Sequence, residues 1–278
     1  MPGHRSGTFT GARGGSVFYQ CWLPADDPRA VIVLVHGAAE HSGRHARLAT
    51  HLGGLGYAVA ALDLDGHGRS DGGRCCLRSF DDYVDDAMTL SRLTRGDFPH
   101  APQVLLGHSM GGLVAANLLL AHQDEFAGCI LSAAAIMTQR DPPAFQLWLV
   151  RVLSRLAPRL GVLQLDAAGV SRDPDVVDAY VNDELVHRGR MSARLVAELF
   201  RAMAAAQSRA AQITLPMLIL HGADDAMTDP RGSQYLHEYL GSPDKELIVY
   251  PGLYHEIFNE PEHPVVFADV ENWLARVL

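Results

Sequence analysis

Short β-branched and aliphatic runs alternate along the chain with longer segments of helical periodicity, the pattern of a mostly parallel sheet covered by helices. Val31–Val35 is apolar at every position, as a strand buried on both faces must be. Similar runs at 57–62, 103–106, 128–131, 217–220 and 247–250 predict five more strands, and 17–23 reads as an edge strand near the start. Each run leads into a loop rich in Gly, His, Asp or Ser. Open α/β sheets bind ligands at that edge, outside the carboxyl ends of their strands.

The alternation breaks between residues 138 and 212, where no strand-like run occurs. Pro142-Pro143 opens a helix over 144–156 that Pro158 ends, and 175–180 and 192–206 predict two more. The division that follows is a core of residues 1–137 and 213–278 with a helical cap, 138–212, inserted between two core strands. An insertion of this kind can act as a lid over a site.

Composition changes this picture little. Of 278 residues, 48% are hydrophobic, enough for a large core. The formal charge of −9 argues against nucleic acid, whose phosphates demand clustered cations. It equally argues against electrostatic docking on anionic lipid, so membrane contact is expected to be apolar. Cys21, Cys75, Cys76 and Cys129 form no CxxC or zinc pattern and read as free thiols in a reducing compartment. Residues 1–15 contain no apolar signal core, and no segment offers the roughly 20 apolar residues of a spanning helix, so the protein is expected to be soluble and cytoplasmic.

The strongest chemical signal is Gly107-His108-Ser109-Met110-Gly111, with a strand running in and a helical pattern, 112–120, running out. A G-x-S-x-G turn in this setting is so sharp that the serine stands clear of the sheet, and only small residues fit two before and two after it. A serine hydroxyl needs a base oriented by an acid, and in this arrangement the chain order is Ser, acid, His. His255 follows the last strand, and Asp225 follows the one before it, with Asp224 and Asp229 as alternative acids. A carboxylate there that is not catalytic is expected to cap the next helix. For an oxyanion, the donors expected are the N–H of Met110, next to the nucleophile, and that of Ala38, in His36-Gly37-Ala38-Ala39-Glu40. The loop Asp63-Leu64-Asp65-Gly66-His67-Gly68-Arg69-Ser70 reads as structural rather than as a metal site.

Together these segments resemble the monoacylglycerol lipase family of α/β-hydrolases, its bacterial members in particular, over about residues 14–274. The most specific pieces are His36 to Arg44, the elbow Gly107 to Gly112, and Tyr254-His255-Glu256-Ile257-Phe258-Asn259-Glu260-Pro261-Glu262. Leu165-Asp166 and Val170-Ser171-Arg172-Asp173-Pro174 are similar to the family's cap. The resemblance implies hydrolysis of an acylglycerol to fatty acid and glycerol without metal or organic cofactor. It also implies that Glu40, Arg44 and the cap tyrosine Tyr180 meet the glycerol headgroup, although Glu40 and Arg44 could equally form an ion pair on a surface helix. Val181 and Glu184 depart from the family's cap pattern, and Phe258 stands where animal members carry a second histidine.

A broad carboxylesterase, lysophospholipase or lactonase on the same fold stays open, as does a silent binding protein; Ser109 excludes the aspartate nucleophile of dehalogenases and epoxide hydrolases. Within 143–165 the apolar residues exceed one buried stripe. The cap is therefore expected either to rest on lipid while partly covering an acyl tunnel, or to pack on the core or on a second subunit in a homodimer.

Overall fold

A computed structural model describes residues 3–140 and 142–278; Met1, Pro2 and Asp141, which the core and cap boundaries above include, lie outside it. An eight-stranded sheet runs through it in the order β1-β2-β4-β3-β5-β6-β9-β10. The core strands are β3 (Val31–Val35), β4 (Ala58–Leu62), β5 (Gln103–His108), β6 (Gly128–Ser132) and β9 (Met217–Gly222), each buried at every position. β10 (Lys245–Tyr250) continues the parallel array. Burying each such Val, Leu or Ile is worth about 1.5–3 kcal/mol, which is why these runs carry no polar alternation.

Residues 17–23 belong to β2 (Ser16–Leu23), and here the expectation of an edge strand is corrected. β1 (Gly3–Thr10) pairs antiparallel with β2 along its full length and takes the edge itself. Its sequence, GHRSGTFT, is mostly exposed and has little apolar content to betray it, as suits an edge that must resist further pairing.

Helices cover both faces. α1 (Ala46–Gly54) and α8 (His263–Val277) bury Leu48, Leu52, Phe267 and Trp273 on one side. α2 (Phe80–Asp97) and α3 (Met110–His122) bury Phe80, Tyr83, Leu113 and Leu118 on the other, joined by Leu236 of α7 (Pro230–Tyr239). α2 begins with a reciprocal capping box between Ser79 and Asp82.

Between β6 and β9 the chain forms α4 (Ala144–Leu156), α5 (Pro174–Asn182) and α6 (Ala193–Arg209). Pro174 at the start of α5 and the Ser192 hydroxyl accepting the Leu195 N–H fix where the latter two begin. The expectation of no strand here is also corrected: β7 (Gly161–Leu163) and β8 (Met191–Ser192) pair antiparallel, in pieces too short to leave a pattern. Asp63 holds the 63–70 loop from within and without, accepting the Arg69 N–H and the Ser42 N–H of the loop after β3 at 2.8 Å each. Among the described residues no helix is long and apolar enough to cross a membrane.

Candidate active site

Three loops converge at the carboxyl ends of β5, β9 and β10. At the first, Ser109 joins β5 to α3 with its backbone at φ 54°, ψ −119°. A side chain tolerates such a conformation only where its surroundings dictate it. They do so here: a Cβ on Gly107 would lie 2.4 Å from the Gly111 carbonyl oxygen, and one on Gly111 2.0 Å from that of Val35.

At the third loop, His255 is buried with Nδ1 2.7 Å from Asp225 Oδ2. A carboxylate only accepts, so Nδ1 carries the proton and Nε2 is left free to take one. Asp225 gathers five donors. Thr228 Oγ1 at 2.7 Å and His221 Nε2 at 3.1 Å join His255 on Oδ2, while the Met227 and Thr228 N–H groups reach Oδ1 at 2.7 and 3.0 Å. Burial alone would raise the Asp225 pKa, but His255, His221 and Thr228 together hold it far below the carboxylate range. Burial likewise pulls His255 down, and the facing Asp225 charge outweighs it, leaving the imidazole above its ordinary value.

The alternative acids stand elsewhere. Asp224 is exposed, and Asp229 caps α7, accepting the Arg231 N–H at 2.9 Å. His221 and Thr228 were not legible as parts of this cluster: a histidine at a strand end and a loop threonine give no signal until the fold sets them around one carboxylate.

Ser109, His255, Ala38 and Met110 all line one cavity of about 120 Å³. The Ser109 N–H is taken by the Ser132 carbonyl at 2.9 Å, whereas the Ala38 and Met110 N–H groups make no hydrogen bond among the described residues. Met110 is the first residue of α3, where helix geometry leaves N–H groups unpaired. Beside it, a Cβ on Gly37 would come within 2.9 Å of Ser109 Cβ, so the loop passes the serine only as glycine.

The rest of the lining divides by polarity. Leu163, Leu165, Val196, Leu199, Phe200 and Met203, all from the insertion, form an apolar wall. No residue of α4 reaches the cavity, which corrects the expectation that this helix partly covers a tunnel; α6 and the β7 region do so instead. The polar part contains Glu40, Glu256 and Tyr180. Glu40 and Arg44 are not a surface pair: Glu40 is 3% exposed and both side chains are buried, 3.7 Å apart. Arg44 grips Glu256 with Nη2 at 2.5 Å and Nε at 3.1 Å, and its guanidinium lies 4.8 Å from the Tyr180 ring. Glu40 Oε1 accepts the Gly37 N–H at 2.5 Å and meets His45 at 3.2 Å, while Oε2 is buried with no hydrogen bond among the described residues. Burial pushes the Glu40 carboxyl upward, yet His45, with His108 and His36 behind it, more than reverses this and holds it well below the usual carboxylate range.

A strained serine, an oriented imidazole and two unpaired N–H groups around one apolar cavity are the parts of nucleophilic acyl transfer. Among the described residues no cluster of three metal-ligating side chains occurs.

Known proteins point the same way. The family described as serine aminopeptidase, S33, matches residues 26–262. A monoacylglycerol lipase of Mycolicibacterium smegmatis is 41% identical over 98% of this chain and 97% of its own. Human monoglyceride lipase is 33% identical over 95% of this chain and 88% of its own. The crystal structure of Paleococcus ferrophilus monoacylglycerol lipase superposes with a TM-score of 0.84 at 31% identity, covering both chains completely. On sequence and on structure alike, the chain belongs to the monoacylglycerol lipase family, within the S33 group of α/β-hydrolases.

Proposed function

We propose that this serine hydrolase cleaves monoacylglycerols, with Ser109, Asp225 and His255 as its triad. His255 takes the Ser109 proton as the hydroxyl attacks the ester carbonyl. The Ala38 and Met110 N–H groups hold the oxyanion, and each such donor is worth about 10²- to 10³-fold in rate. His255 then protonates the departing glycerol, and water activated by the same imidazole releases the fatty acid from acyl-Ser109. Asp225 fixes the imidazole tautomer and stabilises its charged form.

The observation that carries the substrate is the division of the cavity. An apolar wall suits one acyl chain. Next to it, the buried Glu40 Oε2 lacks a donor that a glycerol hydroxyl supplies, with Tyr180 and the Arg44–Glu256 pair alongside. A panel of monoacylglycerol, a p-nitrophenyl ester of equal chain length, lysophosphatidylcholine and an aminoacyl arylamide tests this. Monoacylglycerol should give the highest kcat/KM; preference for the arylamide or the lysophospholipid would overturn it.

The cap adds a route for substrate. On α4, Phe145, Trp148 and Leu156 are 65%, 64% and 80% exposed. Apolar exposure on this scale marks a contact surface, and the lipid that holds the substrate is the occupant matching the cavity behind it. The face rests on a membrane in this reading. A second copy of the chain is the competing occupant, and light scattering that found a dimer through α4 would replace lipid with it.

A further inference from the structure

From residue 142 to 165 the chain carries Arg151, Arg155 and Arg159 and no acidic residue, in a protein of formal charge −9. Arg151 and Arg155 leave α4 on the flank toward α6, where Arg194 and Arg201 join them around an open groove of about 360 Å³. Glu198 is the one carboxylate in the described lining. It is already engaged by Arg201 at 2.9 Å, by Arg194 at 3.9 Å and by the Phe80 N–H at 3.1 Å. Arg151 and Arg155 have neither an ion pair nor a hydrogen bond among the described residues. Arg201 also meets Asp81 at 2.9 Å, so the surplus charge of the groove is that of Arg151 and Arg155, which an incoming anion would neutralise.

The groove borders the exposed apolar face. Arg151 lies one helical turn beyond Trp148, and Arg155 one turn beyond Val152, so the unpaired cations run along one side of the stripe. A helix lying in a bilayer surface has this arrangement, with apolar residues immersed and basic residues level with the headgroups. Arginine also offers the planar, forked donor set that grips phosphate with two hydrogen bonds.

We propose that the α4–α6 groove binds the phosphate of an anionic phospholipid headgroup, holding the cap on negatively charged membrane. The whole-chain charge, which predicts a purely apolar contact, averages over this local excess. The inference rests on the membrane reading of the α4 face, and the experiment separates the two.

Co-sedimentation is measured with vesicles of phosphatidylcholine alone and of phosphatidylcholine mixed equally with phosphatidylglycerol. The wild type should partition more strongly onto the mixed vesicles, and added salt should erase the difference. Arg151→Gln with Arg155→Gln should lower partitioning onto the mixed vesicles about 30-fold, at roughly 1 kcal/mol per cation near the surface. Binding to phosphatidylcholine and turnover of a water-soluble p-nitrophenyl ester should stay at wild-type levels. Equal wild-type binding to both vesicles overturns the groove while leaving the apolar docking intact. Binding to neither overturns both. Stabilisation by inorganic phosphate with no vesicle preference would assign the groove to free anions and overturn the lipid assignment.

Discussion

At the scale of single residues, the site is governed by one buried carboxylate. Asp225 is held by five donors, and its charge raises the His255 pKa against the opposing effect of burial. In the proposed mechanism a neutral His255 accepts the Ser109 proton, so activity should rise with pH through that raised value. The acid limb of kcat/KM is therefore expected above the ordinary histidine pKa of about 6.5. Asp225→Asn should cost about 10⁴-fold, the penalty of a wrong tautomer, whereas Asp224→Asn, at an exposed position, should change little; steady-state kinetics on both variants separates the two acids. Glu40→Gln keeps an oxygen for the Gly37 N–H but loses the charge facing the cavity. It should reduce kcat/KM for monoacylglycerol about 10-fold or more, the worth of a hydrogen bond to a charged group, and barely alter that for a p-nitrophenyl ester. Equal losses on both substrates would make Glu40 a support for the loop alone.

Among the elements, those with a strong physical signature were the readable ones. β3 to β6 and β9 carry apolar runs at their centres because both faces are covered, and α4 spans its expected residues because prolines bracket it. β1 escaped because an exposed edge strand needs no apolar face, and β7 and β8 because two or three residues carry no period. The apolar excess of α4 was visible in sequence, but whether it faced the cavity or solvent was a tertiary question. α6 took the cavity and left α4 its outer face. Trp148→Ser with Leu149→Ser should therefore weaken binding to neutral vesicles while leaving hydrolysis of a soluble ester unchanged. Loss of soluble-ester turnover in a folded variant would place α4 in the site after all. α8 makes a second test of packing: Trp273 is buried against Gly128, where an added Cβ would meet its ring at 2.7 Å. Trp273→Ala should cost about 3–5 kcal/mol in urea unfolding, the range for removing a large buried aromatic.

For the molecule as a whole, a doubly covered sheet delivers three sequence-distant loops to one edge, which is why the elbow motif and chain order nominated Ser109 and His255 and narrowed the acid to Asp225 with Asp224 and Asp229 as alternatives. What order could not convey was their support. His221, Thr228, His45 and Glu256 become meaningful only once the fold brings them against residues that the motifs had marked. The net charge concealed the basic groove in the same way, since a sum over 278 residues says nothing of where the charges sit. The proposed reaction turns on one chemical event, transfer of the acyl group from a monoacylglycerol to Ser109. Acid quench of the enzyme during turnover of a monoacylglycerol, followed by peptide mass mapping, observes it directly. The peptide containing Ser109 should carry the acyl mass of the supplied substrate, and Ser109→Ala should show none. Release of glycerol with no such adduct in the wild type, or with the acyl group on another residue, would contradict the proposed reaction.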